Sequence, residues 1–127
     1  MKILGIGVDI VENKRIQKSI KNPLFKKRIY SFKELKQSNL VKNKVAFFSK
    51  RFAAKEAFSK ALGTGISRGI KFNEIVILNK KNGKPYVKLL NNTKLIVEKL
   101  LKKKKYKISL SISDESNYAV AFVTISI

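Results

Sequence analysis

The 127-residue chain contains no cysteine and no histidine. Without cysteine there is no disulfide, no thiolate nucleophile and no cysteine-bound zinc. Without histidine the commonest general base and metal ligand is also missing. Any catalysis therefore falls to carboxylates, lysine, hydroxyls or a hard metal ion. The lack of cysteine leaves the redox compartment open, with cytoplasm as the default. No apolar run approaches the roughly 18 residues of a membrane span. The opening segment Met1–Ile10 carries an Asp within a short apolar run and lacks a small-residue cleavage site. It reads as a first strand rather than a signal peptide. Acidic residues are scarce: eight, against 29 Lys and Arg, for a formal net charge of +21.

Such an excess implies a polyanionic partner: nucleic acid, an anionic membrane surface, a phosphate-rich ligand or an acidic protein. The plainer reading is coding bias, with lysines scattered over a solvated surface, and charge alone does not choose between them. The dense block Lys102–Lys105 suits a helix C-terminus, where cations complement the dipole. Length and ordinary apolar content fit one domain, residues 1–127, with a real core.

Residues 2–8 read as a buried strand in which Gly5 and Gly7 permit close backbone approach, with Asp9 at its end. Glu12 to Ile20 reads as a helix with Lys14, Arg15, Lys18 and Lys21 on its outer side. Asn22-Pro23 opens a second helical piece. Ser31-Phe-Lys-Glu34 matches a capping box. A long helix follows over about Val41–Leu62, apolar on most of its sides, which places it at the core or at an interface. Lys71–Asn79 alternates like a strand, Asn82-Gly83 is a hairpin signal, and Pro85–Leu90 is the return strand. Asn91–Leu101 reads as a helix capped by Asn91 or Asn92. Tyr106–Ser113 and Asn117–Ile127 form a terminal hairpin. The fold class is α+β, with largely antiparallel strands.

Within the long helix, Glu56 and Lys60 lie on one face about 40° apart at ~100° per residue. A carboxylate in an otherwise apolar helix is costly unless it is paired or bound to a metal. A pair at this spacing can simply be an i,i+4 ion pair, and Asp9 can simply be a turn residue or helix N-cap. Two carboxylates from separate elements, with no histidine or cysteine in the chain, also suit a hard cation such as Mg²⁺. Gly63-Thr-Gly65 can be a plain C-cap, or a place where backbone amides, Lys60 and Arg51 approach a phosphate.

Two blocks in combination are more specific. Gly5-Ile-Gly-Val-Asp9-Ile-Val-Glu12 together with Arg51-Phe-Ala-Ala-Lys-Glu56-Ala-Phe-Ser-Lys60-Ala-Leu-Gly63-Thr-Gly65-Ile66 resembles the holo-(acyl-carrier-protein) synthases, the small single-domain bacterial 4′-phosphopantetheinyl transferases. Asn82-Gly-Lys-Pro85 and Ser109–Val123 fit in order and spacing, so the likeness spans nearly the whole chain.

The resemblance implies a largely antiparallel sheet packed on a long central helix. It also implies transfer of the 4′-phosphopantetheine arm of coenzyme A to a serine of apo-acyl carrier protein, releasing adenosine 3′,5′-bisphosphate. It assigns Asp9 and Glu56 as Mg²⁺ ligands, and Asp9, Glu56 and Lys60 as the catalytic set. Arg51, Lys60, Gly63, Gly65, Gly83, Lys84, Pro85 and Ser109 match positions contacting coenzyme A. Many members carry a histidine where this chain has Ser109. Arg15 matches a carrier-binding arginine, and Lys14, Lys18 and Lys21 extend that basic helix toward an acidic carrier. The family assembles as a homotrimer with active sites between subunits. The rival reading, a nucleic-acid-binding protein, rests on charge alone and leaves Asp9 and Glu56 without a role. A third, a coenzyme A binder without turnover, follows from the missing histidine.

Overall fold

A 19-residue helix, α4 (Lys44–Leu62), lies across one face of a three-stranded antiparallel sheet in a computed structural model that describes residues 1–63, 69–103 and 105–127. Alanine at 46, 53, 54, 57 and 61 and the absence of Gly and Pro favour the helix. Asn43 starts it, its Oδ1 accepting from the Ala46 amide at 3.0 Å, and Gly63 ends it in the left-handed region at φ +78°. The helix therefore begins three residues later than the apolar pattern suggested, because Asn43 fixes its first turn.

The sheet has order β1-β5-β4, with β1 at Ile3–Glu12, β4 at Lys107–Asp114 and β5 at Tyr118–Ser126. The expected terminal hairpin is β4–β5, and β1 pairs with the other edge of β5, the central strand. A separate hairpin, β2 (Ile75–Asn79) and β3 (Pro85–Leu89), packs beside β4 and α4. Between β1 and α4 run three short helices, α1 (Asn13–Ser19), α2 (Pro23–Ile29) and α3 (Phe32–Ser38). The capping box at Ser31 and Glu34 is formed from both sides. Helix α5 (Asn91–Leu101) precedes β4.

Several expectations need correction. The first strand is not buried on both faces: Ile6, Val8 and Ile10 are more than half exposed, while Gly7 and Val11 face inward. The strand also continues through Glu12, so Asp9 lies within it and the following helix begins at Asn13. Lys71–Asn79 is not a continuous strand; a 3₁₀ turn at Phe72–Glu74 precedes β2. Neither Asn91 nor Asn92 caps α5, whose N-cap position is Leu90 with no side-chain bond. Thr93 anchors that end instead, donating to Glu74 Oε1 at 2.7 Å and accepting from the Lys71 amide at 3.0 Å.

The core lies between α4 and the sheet, extended by aromatic contacts among Phe25, Tyr30, Phe48, Phe52 and Phe72. Between α3, α4 and β2 sits an ion pair, Glu34 and Lys55, both with fully buried side chains 2.7 Å apart. Burial pulls the Lys55 amine down to about 8 while Glu34 holds it up. The amine donates to three acceptors: Glu34 Oε1, Phe72 O and Ile75 O.

Candidate active site

The glycines of β1 decide where the acidic residues meet. A methyl group on Gly5 would lie 1.9 Å from the Ala61 carbonyl oxygen, and one on Gly7 1.9 Å from that of Ala57. With hydrogen there instead, the backbone of α4 rests directly on the strand. Asp9, two residues further along the same face, therefore comes beside the helix. Lys60 Nζ donates to Asp9 Oδ1 and to the Val8 carbonyl, both at 3.1 Å. The ion pair Lys60 makes is thus with Asp9, not with Glu56 on its own helix.

Glu56 stands one turn before Lys60 and is half-buried. Burial raises its carboxyl above the ordinary value, and the charge of Asp9 raises it further, against the pull of Lys60 and Arg15. Arg15 reaches this place from α1, its guanidinium 5.4 Å from the centre of the Phe52 ring. A cation beside Glu56 would offset the burial and the neighbouring charge that raise its carboxyl. The donors are all oxygen, which suits a hard ion. Among the described residues there is no cluster of three or more His, Cys, Asp or Glu. Asp9 and Glu56 could hold a hard ion such as Mg²⁺ only with water or phosphate oxygens as its remaining ligands.

A second group gathers elsewhere. Lys84, Pro85 and Ser109 line one cleft of about 260 Å³, together with Lys80, Tyr86 and Lys107. Gly83 lines the neighbouring cavity of about 170 Å³, which also touches Pro85 and Arg51. Gly83 has φ +89°, which its lack of a side chain makes cheap, and its amide donates to the Lys80 carbonyl to close the hairpin. Arg51 is nearly buried: its guanidinium lies 3.6 Å from the Phe47 ring centre and Nη2 donates to Asn79 Oδ1 at 3.1 Å. Neither of these cavities includes Asp9, Glu56 or Lys60. Gly63 is exposed at the end of α4, while Gly65 lies outside the described residues. Lys14, Arg15, Lys18 and Lys21 are all exposed.

This geometry can be set beside known proteins. The model of the 4′-phosphopantetheinyl transferase superfamily matches residues 5–123, nearly the whole chain. The chain belongs to the 4′-phosphopantetheinyl transferase superfamily. Within it, the holo-(acyl-carrier-protein) synthase of Pelagibacter ubique is 53% identical over 123 residues, covering 97% of this chain and 96% of that protein. The crystal structure of the synthase from Neisseria meningitidis superposes with a TM-score of 0.88 at 37% identity, covering 99% of this chain and 100% of that one. The Bacillus anthracis synthase, solved in complex with CoA (3′,5′-ADP), gives 0.81 at 35% identity, covering 98% and 96%.

In this phosphopantetheinyl transferase the buried Glu34–Lys55 pair escaped the motif reading. One signal for it was present: Lys55 shares a helical face with Phe48, Phe52 and Ser59, all buried. A lysine on that face needs an acid opposite it. The capping role of Glu34 was legible, but its long-range partner was not.

Proposed function

We propose that this chain transfers the 4′-phosphopantetheine arm of coenzyme A to a serine of apo-acyl carrier protein, releasing adenosine 3′,5′-bisphosphate. The observation that carries this reading is the convergence of Asp9, Glu56 and Lys60 at one contact between β1 and α4. It occurs in a chain alike along its whole length to holo-(acyl-carrier-protein) synthases.

Asp9 and Glu56 would hold Mg²⁺, which when bound neutralises charge on the diphosphate. The carrier serine Oγ forms a new ester bond to the phosphorus that bears pantetheine. The bond from that phosphorus to the leaving bisphosphate breaks as this occurs. The serine proton passes to Glu56, directly or through one water, since the chain has no histidine to take it. Lys60 is a fixed cation beside the transferring group. Lys84 and the neighbouring lysines of the cleft hold the phosphates of the nucleotide half. Ser109 offers a hydroxyl at the position where many relatives have an imidazole.

Asp9 and Ser109 lie on opposite faces of one sheet. Asp9 pairs with Ala121, on the face that packs against α4. Ser109 pairs with Thr124, which pairs with the exposed Ile6. That outer face is apolar along β1 and β5, with Ile6, Val8, Ile10 and Phe122 between 44% and 63% exposed. A patch of this kind on a highly charged protein marks a contact surface. The reading it supports is a homotrimer in which the cleft of one copy faces the carboxylates of its neighbour. Lys14, Arg15, Lys18 and Lys21 then steer and dock the acidic carrier.

The test is the mass of apo-carrier after incubation with the protein, coenzyme A and Mg²⁺. A gain of one phosphopantetheine is expected with the wild type. Asp9→Ala and Glu56→Gln should each slow it at least ~10²-fold, the scale of lost acid–base or metal assistance, with circular dichroism unchanged. A wild-type rate in either variant would overturn the assignment.

A further inference from the structure

We propose that the buried Glu34–Lys55 pair is a positioning unit for the coenzyme A cleft, standing in for the missing neighbour strand of β2. The inference rests on the reading that Lys84, Pro85 and Ser109 take coenzyme A. The β2–β3 hairpin carries two of those residues, and it is a two-stranded sheet. Alone, such a sheet is marginal in water, and its free edge presents unpaired amides and carbonyls.

In this chain that edge is satisfied by side chains of opposite charge. Glu34 Oε2 accepts from the Ile77 amide at 3.0 Å, and Lys55 Nζ donates to the Ile75 carbonyl at 2.7 Å. The two side chains are locked together at 2.7 Å, and Glu34 Oε1 also accepts from the Ser31 amide at 2.9 Å. Lys55 further donates to the Phe72 carbonyl at 2.9 Å. One pair thus ties α3, α4, the 3₁₀ turn and β2 into a single body. The row continues two residues on, where Arg51, one turn before Lys55, donates to Asn79, whose Nδ2 donates to the Gly83 carbonyl at 2.9 Å.

The pair sits next to the catalytic set along the chain, since Lys55 precedes Glu56, yet it points to the other side of the helix. Its effect is to fix the hairpin, and with it the cleft, against α3 and α4. A carboxylate and an ammonium match an amide and a carbonyl in a way apolar packing cannot. Such matching fixes register as well as contact, and register places Lys84 and Pro85.

The experiment compares Glu34→Gln, Lys55→Met and the double variant Glu34→Gln/Lys55→Met with Lys84→Ala, at a temperature where each is folded. The double variant removes both charges together, so neither is left buried without its partner. It guards against Lys55→Met failing to fold. Expected are a tenfold or greater rise in KM for coenzyme A in the pair variants, with KM for the carrier and kcat at saturation within twofold of wild type. Hydrogen exchange at the Ile77 and hairpin amides should quicken at least tenfold while β5 is unchanged. A purely structural pair would lower the melting temperature and leave KM for coenzyme A alone, and that result overturns the proposal. A wild-type KM in Lys84→Ala instead shows that the cleft does not take coenzyme A, and it removes the underlying reading together with the proposal.

Discussion

Tyr30 shows what burial does to one side chain here. Its ring is 1% exposed and its hydroxyl donates to the Phe48 carbonyl at 2.8 Å. Burial, and then the nearby Glu34, push its ionisation well above the ordinary tyrosine value. The folded protein therefore keeps this proton where the unfolded chain loses it. Stability from Tyr30 is fully present below about pH 10, the unfolded value, and is lost as pH rises toward the folded one. Tyr30→Phe should cost about 1 kcal/mol at neutral pH, the scale of one neutral hydrogen bond. Above about pH 10 the gap between wild type and variant should close by up to ~1.4 kcal/mol per pH unit. Urea titrations of both proteins between pH 8 and 11 measure this, and parallel curves would count against it. The residue scale is also where sequence reading did best and worst. The Ser31–Glu34 box was legible because both partners are local. The bond from Glu34 to Lys55 spans 21 residues, so only the fold reveals it.

At the scale of elements, β1 carries the clearest lesson. Its sequence alternates, but alternation does not say which face is the inner one. The apolar Ile6, Val8 and Ile10 look like core residues, yet the inner face belongs to Gly5, Gly7, Asp9 and Val11. The helix backbone, not its side chains, packs on that face, and only glycine leaves room. The glycines signal a close approach, but the element that approaches is set by packing far along the chain. Gly7→Ala forces β1 and α4 apart, because the new methyl meets backbone rather than a movable side chain. The expected loss is about 3 kcal/mol, at the upper end for overpacking. The same displacement pulls Asp9 away from Lys60 and Glu56. Activity per folded molecule should therefore fall as well, and denaturant titration paired with the transfer assay at low temperature separates the two effects. A variant as stable as wild type would show that the strand can shift without cost.

At the scale of the whole molecule, what was legible was the family pattern rather than the geometry it needs. The two halves of the proposed site are far apart in sequence, and Asp9 of one and Ser109 of the other lie on opposite faces of one sheet. No local pattern states that. If a neighbouring copy supplies the second half, two differently damaged chains can repair each other. Glu56→Gln removes the carboxylate half, and Ser109→Trp fills the cleft from an exposed position where a large side chain does not disturb the core. Each homogeneous protein should be inactive. When the two are unfolded together in equal amounts and refolded, subunits combine at random within a cyclic assembly. A boundary then has an intact carboxylate half with probability one half and an intact cleft with the same probability, so about a quarter of the sites are whole. The mixture should regain about a quarter of wild-type transfer, while a mixture combined without unfolding stays near background until subunits exchange. A refolded mixture no more active than its two parents would place the entire site within one chain, and the apolar face of β1 and β5 would then need a different partner.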